Sequence, residues 1–308
     1  MNRSRAFLSR RLAAALLLTA GGLLAGAAAA QPAAPVRIAY VDWSSSVASA
    51  NLICAVIERR LNRNCELIQG TADEMWQRVA DGDADAMLSA WLPATHAHYR
   101  EKYGERMDDL GPNLEGTRTG LVVPDIRVGR QTGASGARTL QTDPIQSIPD
   151  LREHRRQLGG RIMGIDPEAG IMTATERAIS VYGLAGFRLV AGSEHEMTEA
   201  LARAIARNER IVVTGWEPHW MFGRWALRFL DDPDDVYGGR GSIHTMVRRG
   251  LADDAPEVYR LLDRFHWDPD AMSQLLVWNQ QGDGSDPYAQ AERWMRAHPG
   301  AVDEWVGE

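Results

Sequence analysis

The chain has 308 residues, with 34 Lys and Arg against 41 Asp and Glu, a formal charge of −7 at neutral pH. That acidic balance, without a long basic tract, argues against nucleic acid or an anionic membrane surface as partner. A hydrophobic share of 44% and a charged share of 24% are those of a globular chain, long enough for two lobes with sizeable cores.

The N-terminus carries Arg3, Arg5, Arg10 and Arg11, then an Ala/Leu-rich run from Leu12 to about Ala27, then Ala28-Ala29-Ala30 before Gln31. A positive region, a short apolar region and a small-residue cleavage site are the parts of a secretory signal peptide, and residues 1–30 are read as one. A transmembrane anchor is the rival, but the run is short, Gly21-Gly22 interrupts it and small residues follow. Ser9-Arg10-Arg11 resembles a twin-arginine signal only faintly. No cysteine near the cleavage site offers a lipid anchor. Cleavage leaves 278 residues (308 minus 30) and moves the charge from −7 to −11, since four arginines and no acids are removed. The expectation is a soluble periplasmic protein without a stable membrane anchor. No later apolar run is long enough to span a bilayer.

From Val36 onward, strand-like and helix-like runs alternate. The first unit reads as strand 36–42, helix 49–61, strand 65–69, helix 71–80 and strand 84–90. Thr71 and Glu74 have the spacing of a capping box for the second helix. Cys54 falls on the first helix and Cys65 opens the next strand. Helix and strand pack together in such a unit, and cysteine pairs in an oxidising compartment often bond, so a bridge is feasible. Disulfide geometry is narrow, so two free thiols stay open as an alternative. Two isolated cysteines without a Cys-x-x-Cys pattern do not suggest a metal site.

A helix near 95–103 follows, then Gly120-Leu121-Val122-Val123-Pro124, a short apolar strand ended by proline. Residues 129–142 are small and polar and read as an exposed loop or insertion. A second unit starts near Ser147, with strand 161–165, helix 171–182, strand 187–190, helix 194–207 and strand 211–215. Ser242 to Arg248 is a further strand. From Ala255 the chain reads as helical to its end, with Leu261, Phe265, Leu276, Trp294 and Trp305 among the packing residues. Such alternation predicts an α/β fold with largely parallel sheets. Two units followed by helices predict a bilobal architecture. The first lobe is expected at 36–122 plus 246–308, the second at 123–245, with hinges at 120–124 and 243–248. No fixed-period repeat is present.

Ten tryptophans outnumber seven tyrosines and five phenylalanines. Trp43, Trp91 and Trp216 each close a strand-like run and precede a helix-like stretch. In open α/β sheets ligands gather outside the carboxyl ends of strands. Three indoles meeting there make an electron-rich box, suited to a quaternary ammonium cation that can donate no hydrogen bond. The other seven, Trp76, Trp220, Trp225, Trp267, Trp278, Trp294 and Trp305, read as packing residues.

A zwitterion needs an anion half as well. Gly164-Ile165-Asp166-Pro167-Glu168-Ala169-Gly170-Ile171-Met172 runs from strand to helix, and places the Gly170 and Ile171 amides at a helix N-terminus, where free N–H groups favour a carboxylate. Gly170 allows close approach to the backbone. His96, five residues after Trp91, could donate an imidazole N–H to the same group, although a lone histidine is ordinarily core or surface. His219 reads as the holder of a turn. No Gly-x-Ser-x-Gly, His-Glu-x-x-His or P-loop is present. Asp231-Asp232-Pro233-Asp234-Asp235 lacks the spacing of a calcium loop and reads as a solvated turn. No catalytic residue, metal or cofactor is expected.

At these motifs, from about Val36 to the C-terminus, the chain resembles the substrate-binding proteins of glycine betaine ABC transporters, the OpuAC-like family. The resemblance is strongest in the 164–172 run, in Val213-Thr214-Gly215-Trp216-Glu217-Pro218-His219-Trp220-Met221-Phe222, and in Ser89-Ala90-Trp91-Leu92-Pro93-Ala94-Thr95-His96. It implies a bilobal type II periplasmic-binding-protein fold with a ligand cleft between two lobes. It also implies that Trp43, Trp91 and Trp216 box a trimethylammonium group, and that the Gly170 and Ile171 amides and His96 take the carboxylate. The Trp43/Trp91 half precedes the Trp216 half here; family members occur in either order. Two departures stand out: Asp42 and Ser44-Ser45-Ser46 around Trp43, and the length of the 129–142 stretch.

The resulting expectation is a monomeric periplasmic receptor for glycine betaine or an analogue such as proline betaine, carnitine or dimethylsulfoniopropionate, delivering it to an ABC permease with its ATPase. Choline is the rival ligand; it would leave His96 and the Gly170 amides idle and would call for an acidic contact such as Asp42. A secreted enzyme for methylated amines would need a nucleophile–base set or metal cluster, and a sensor would need an output segment. The sequence supplies none of these.

Overall fold

The computed structural model describes residues 34–125, 128–131, 138–141, 143–281 and 286–308. The expected signal peptide lies outside the described residues, as do parts of the 129–142 stretch. The chain opens with β1 (Val36–Tyr40), α1 (Ser44–Arg60), β2 (Cys65–Gln69), α2 (Ala72–Asp81), β3 (Ala86–Leu92) and α3 (Ala97–Tyr103). Next come β4 (Met107–Pro124), β5 (Val128–Gln131), β6 (Arg138–Gln141), α4 (Leu151–His154), β7 (Arg161–Met163), α5 (Gly170–Val181), β8 (Arg188–Val190), α6 (Glu194–Ala206) and β9 (Val213–Glu217). They are followed by α7 (Met221–Arg224), β10 (Leu227–Phe229) and β11 (Arg240–Arg248). Five helices complete the described chain: α8 (Leu251–Asp254), α9 (Pro256–Arg264), α10 (Pro269–Gln281), α11 (Pro287–Ala297) and α12 (Pro299–Val306).

One sheet runs in the order β2-β1-β3-β11-β4-β9-β7-β8, with β10 also on β4. It contains two parallel blocks. β1 pairs with β2 and β3 in parallel, and β7 pairs with β8 and β9 in parallel. The centre is antiparallel: β11 runs against β3 and β4, and β4 against β9. The expectation of largely parallel sheets therefore holds for the two ends, while the strands that pass between the βαβ units reverse direction.

β4 is 18 residues long, not the five expected at 120–124. Leu110-Gly111-Pro112 and Gly116 look like loop punctuation in the sequence. In the structure Gly111 and Gly116 take φ of 94° and 77°, and the β4–β11 register shifts repeatedly alongside them. The glycines let a long strand bend without ending, as at bulges. The stretch expected as an exposed loop or insertion at 129–142 carries most of an antiparallel pair, β5 with β6.

α1 starts at Ser44, five residues before the expected start at 49. Ser45 and Ser46 are buried, and the Ser46 hydroxyl accepts the Val41 N–H at 3.2 Å. From Ala48 to Ile57 the helix is buried on all sides, because the sheet covers one face and α10 and α11 the other. This explains its weak amphipathic pattern. α2 has the expected capping box: the Glu74 N–H donates to the Thr71 hydroxyl at 3.3 Å and the Thr71 N–H to the Glu74 carboxylate at 2.9 Å. Cys54 and Cys65 are bonded, tying α1 to β2 with a Cα–Cα separation of 5.3 Å. Among the C-terminal helices Trp294 and Trp305 stack with centroids 5.6 Å apart, and Trp267 meets both edge-on.

Candidate functional site

Trp43 sits between β1 and α1, where it is the N-cap of the helix. Trp91 is the penultimate residue of β3 and Trp216 the penultimate residue of β9, each at a strand's carboxyl end. Trp91 and Trp216 are each followed by one residue and a cis proline, Leu92–Pro93 and Glu217–Pro218. The three indoles are at most 5% exposed. They line one pocket together with Thr95, His96, Thr119, Ile165, Ala169, Gly170 and Ile171. All six residues singled out from the sequence for a small ligand thus meet in one place.

The polar wall is set by α5 and by the turn after β3. α5 begins at Gly170, so the Gly170 and Ile171 N–H groups belong to its first turn, where no intrahelical acceptor exists. They lie at the positive end of the helix. Gly170 touches the loop before α3: a β-carbon placed on it would lie 1.9 Å from the Thr95 carbonyl oxygen. Nearby, the Tyr99 hydroxyl donates to the Glu168 carbonyl at 2.7 Å.

His96 is 1% exposed. Its Nδ1 accepts from the Trp91 main-chain N–H at 3.1 Å and from the Trp76 indole N–H at 3.3 Å. Both partners can only donate, so Nδ1 is unprotonated and the neutral ring carries its hydrogen on Nε2. Burial, reinforced by the charge of His98, pushes the imidazole pKa down to about 3. His96 is therefore a neutral N–H donor at any physiological pH. Trp76, read from the sequence as packing alone, is also a brace for that tautomer.

Around the indoles stands a set of carboxylates. The Trp43 indole N–H donates to Asp166 at 2.9 Å, and the Ser44 main-chain N–H donates to Glu194 at 2.9 Å. Glu194 also accepts the Trp220 indole N–H at 3.2 Å and faces His219 Nε2 at 3.1 Å. Burial works to raise the Glu194 carboxyl, but the His219 charge and the bonds from His219 and Ser44 hold it below its ordinary value. Asp42 is exposed and stands outside the pocket lining. Desolvation, then the charges of Glu194 and Asp166, hold its carboxyl above the ordinary value.

His219 holds a turn, as expected, accepting the Met221 N–H at 3.0 Å, and it meets Trp216 edge-on at 4.6 Å. In the 231–235 acidic stretch, Asp232 accepts the Tyr182 hydroxyl and the Tyr237 N–H, and the Asp234 N–H donates to the Tyr182 oxygen at 2.8 Å. The stretch is a turn organised around Tyr182. Among the described residues no group of His, Cys, Asp and Glu is arranged to hold a metal ion, and no helix is long and apolar enough to cross a membrane.

Four lining residues were not singled out as site residues: Thr95, Thr119, Ile165 and Ala169. Three lie inside the motifs already quoted. Thr119 lies opposite Trp216 on β4, in the part of the strand that the glycines hide.

Residues 34–297 match the family model described as the substrate binding domain of ABC-type glycine betaine transport systems. A curated relative, the glycine betaine/carnitine transport binding protein GbuC of Listeria monocytogenes, is 43% identical over 165 residues. That match covers 53% of this chain and 53% of the relative, so the alignment spans about half the length of each. The crystal structure of lactococcal OpuAC, closed and complexed with glycine betaine, superposes with a TM-score of 0.79 at 37% identity, covering 88% of this chain and 99% of that one. A Borrelia burgdorferi glycine betaine/L-proline-binding protein gives 0.81 at 35% identity, covering 89% and 97%. An ABC-transporter choline binding protein in complex with choline gives 0.76 at 26% identity, covering 89% and 91%.

Proposed function

The chain belongs to the family of substrate-binding domains of ABC-type glycine betaine transport systems and has the α/β bilobal periplasmic-binding-protein fold of its solved relatives, and from that premise we propose that it binds glycine betaine or a close quaternary-ammonium analogue. One observation carries the reading: Trp43, Trp91, Trp216, His96, Gly170 and Ile171 line a single pocket. Trp43, Trp91 and Trp216 take the trimethylammonium group, each contact worth roughly 0.5–2 kcal/mol and more when water is excluded. The Gly170 and Ile171 N–H groups and His96 take the carboxylate at the opposite wall.

The two lobes are 36–122 with 246–308, and 123–245, joined through β4 and β11. Trp43, Trp91 and His96 come from the first; Trp216, Gly170 and Ile171 come from the second. The box and the anion wall are each split between lobes, so closure assembles both at once. Exclusion of water on closure strengthens the carboxylate contacts. The closed, loaded form delivers its ligand to a membrane permease driven by an ATPase. The protein acts as a monomer in the periplasm and does not alter its ligand chemically.

Choline fits the cation box but has no carboxylate for His96 and the α5 amides, and Asp42 stands outside the pocket lining. Isothermal titration decides between them. Glycine betaine is expected to bind at least tenfold more tightly than choline. The reverse order makes the protein a choline receptor; silence toward glycine betaine, proline betaine, carnitine, dimethylsulfoniopropionate and choline rejects the reading.

A further inference from the structure

Consecutive residues of the first lobe, Trp43 and Ser44, each donate a hydrogen bond to a carboxylate of the second, Asp166 and Glu194, both at 2.9 Å. They lie 123 and 150 residues from those partners. Ser44 opens α1, a helix of 17 residues, and the α1 N-cap is Trp43, whose side chain bears no cap hydrogen bond. An uncapped helix N-terminus presents free N–H groups and partial positive charge. Glu194 lies against it.

From the first lobe the Asp42 carboxylate also faces Glu194 and Asp166, a like charge that the two hydrogen bonds must outweigh; the other Glu194 partners come from its own lobe. Trp220 donates to the carboxylate, His219 faces it, and His219 in turn packs edge-on against Trp216. Glu194 therefore contacts the chain beside one wall of the aromatic box and braces the histidine behind another. When the lobes part, the bonds to Trp220 and His219 can persist, and only the one to Ser44 must break.

We propose that Glu194 is a positioning residue for ligand capture: with Asp166 it forms a two-point clasp that closes on Trp43 and Ser44, fixing the Trp43 indole and holding the closed state. Glu194 touches no ligand in this scheme, since it is not part of the pocket lining. The inference rests on the betaine-receptor reading, which names the ligand whose binding the clasp reports. It adds a source of affinity outside the contacts with the ligand itself. A ligand gains by the clasp only because it binds the closed form better than the open one.

The test compares wild type, Glu194→Gln and Glu194→Ala. Glutamine keeps the size and loses the charge. In Glu194→Gln the glycine betaine dissociation constant should rise at least tenfold, through faster release seen by stopped-flow tryptophan fluorescence. The ligand-free melting temperature should stay within about 2 °C of wild type, because the Ser44 contact is absent when the lobes are open. Affinity within twofold of wild type overturns the clasp. So does an equal fall of melting temperature with and without ligand, which marks Glu194 as an ordinary folding residue. If wild type binds neither betaines nor choline, the functional reading fails by itself. The clasp is then judged by the closed fraction of ligand-free protein, measured by energy transfer between dyes on the two lobes. A lower closed fraction in Glu194→Gln supports it, and an equal one overturns it.

Discussion

Gly170 approaches the Thr95 carbonyl so closely that a β-carbon placed on it would lie 1.9 Å from that oxygen. The two residues belong to different proposed lobes. Gly170→Ala adds one methyl group at the first position of α5, where alanine suits the helix. Under the proposed closure the clash exists only when the lobes meet. Glycine betaine affinity is therefore expected to fall at least a hundredfold, while the ligand-free melting temperature stays within a few degrees of wild type. Titration calorimetry and thermal unfolding check both parts. Retained affinity would show that Thr95 and Gly170 need not touch for binding.

In the proposed box Trp216 supplies the aromatic face that comes from the second proposed lobe. Trp216→Ala removes that face and leaves a void beside His219, which packs on the indole at 4.6 Å. One cation–π contact in a desolvated pocket is worth about 2 kcal/mol, so the dissociation constant for glycine betaine should rise about thirtyfold. Trp216→Phe, which keeps a ring of weaker quadrupole, should fall between. Binding of the alanine variant within twofold of wild type would remove Trp216 from the box.

The site was more legible in the sequence than the sheet. Trp43, Trp91, Trp216, Gly170 and Ile171 stand at strand ends or a helix start, where local pattern and turn chemistry are informative, whereas His96 was singled out chiefly by the family resemblance; all six line one pocket. β4 was legible only in its last third, because Gly111 and Gly116 mark bulges with the same residues that mark loops. The start of α1 was hidden by polar residues, Ser45 and Ser46, whose burial depends on tertiary packing. The contacts of Asp166 and Glu194 with Trp43 and Ser44 span more than 120 residues. No local pattern encodes such pairs. Trp76 shows the same limit: burial was predictable, but its bond to His96 Nδ1 was not.

His96 makes stability depend on pH in a defined direction. Its pKa is about 3 in the folded protein, against about 6.5 when unfolded. Above pH 6.5 the ring is neutral in both states and contributes no pH dependence. As pH falls below 6.5 the unfolded chain takes up the proton first, so the folded state loses stability progressively down to about pH 3. The loss is of the order of a few kcal/mol at the acid end, at about 1.4 kcal/mol per pH unit. His96→Asn has no proton to take up in that range. Its melting temperature should fall less steeply than that of wild type between pH 6 and pH 4. Parallel curves would mean that His96 takes up its proton at the same pH in the folded as in the unfolded chain. Between pH 6 and 8, titration of His96 should leave wild-type betaine affinity unchanged, because Nε2 keeps its hydrogen throughout.

The Cys54–Cys65 bond should contribute to stability and not to binding. It closes a loop with a sequence separation of 11, between α1 and β2. For a loop of this size the lost freedom of the unfolded chain corresponds to roughly 3 kcal/mol. In a domain of this length that is about 6–12 °C in melting temperature. The double variant Cys54→Ser, Cys65→Ser should melt lower by about that amount, with somewhat more added because Cys54 is buried in the α1 core. Wild type under reducing conditions should shift the same way, by less. Neither cysteine lines the pocket and both belong to the first proposed lobe, so glycine betaine affinity should stay within twofold. A large loss of affinity in the double variant would mean that the bond orients α1, and with it Trp43 at its N-terminus, and would join the disulfide to the capture mechanism.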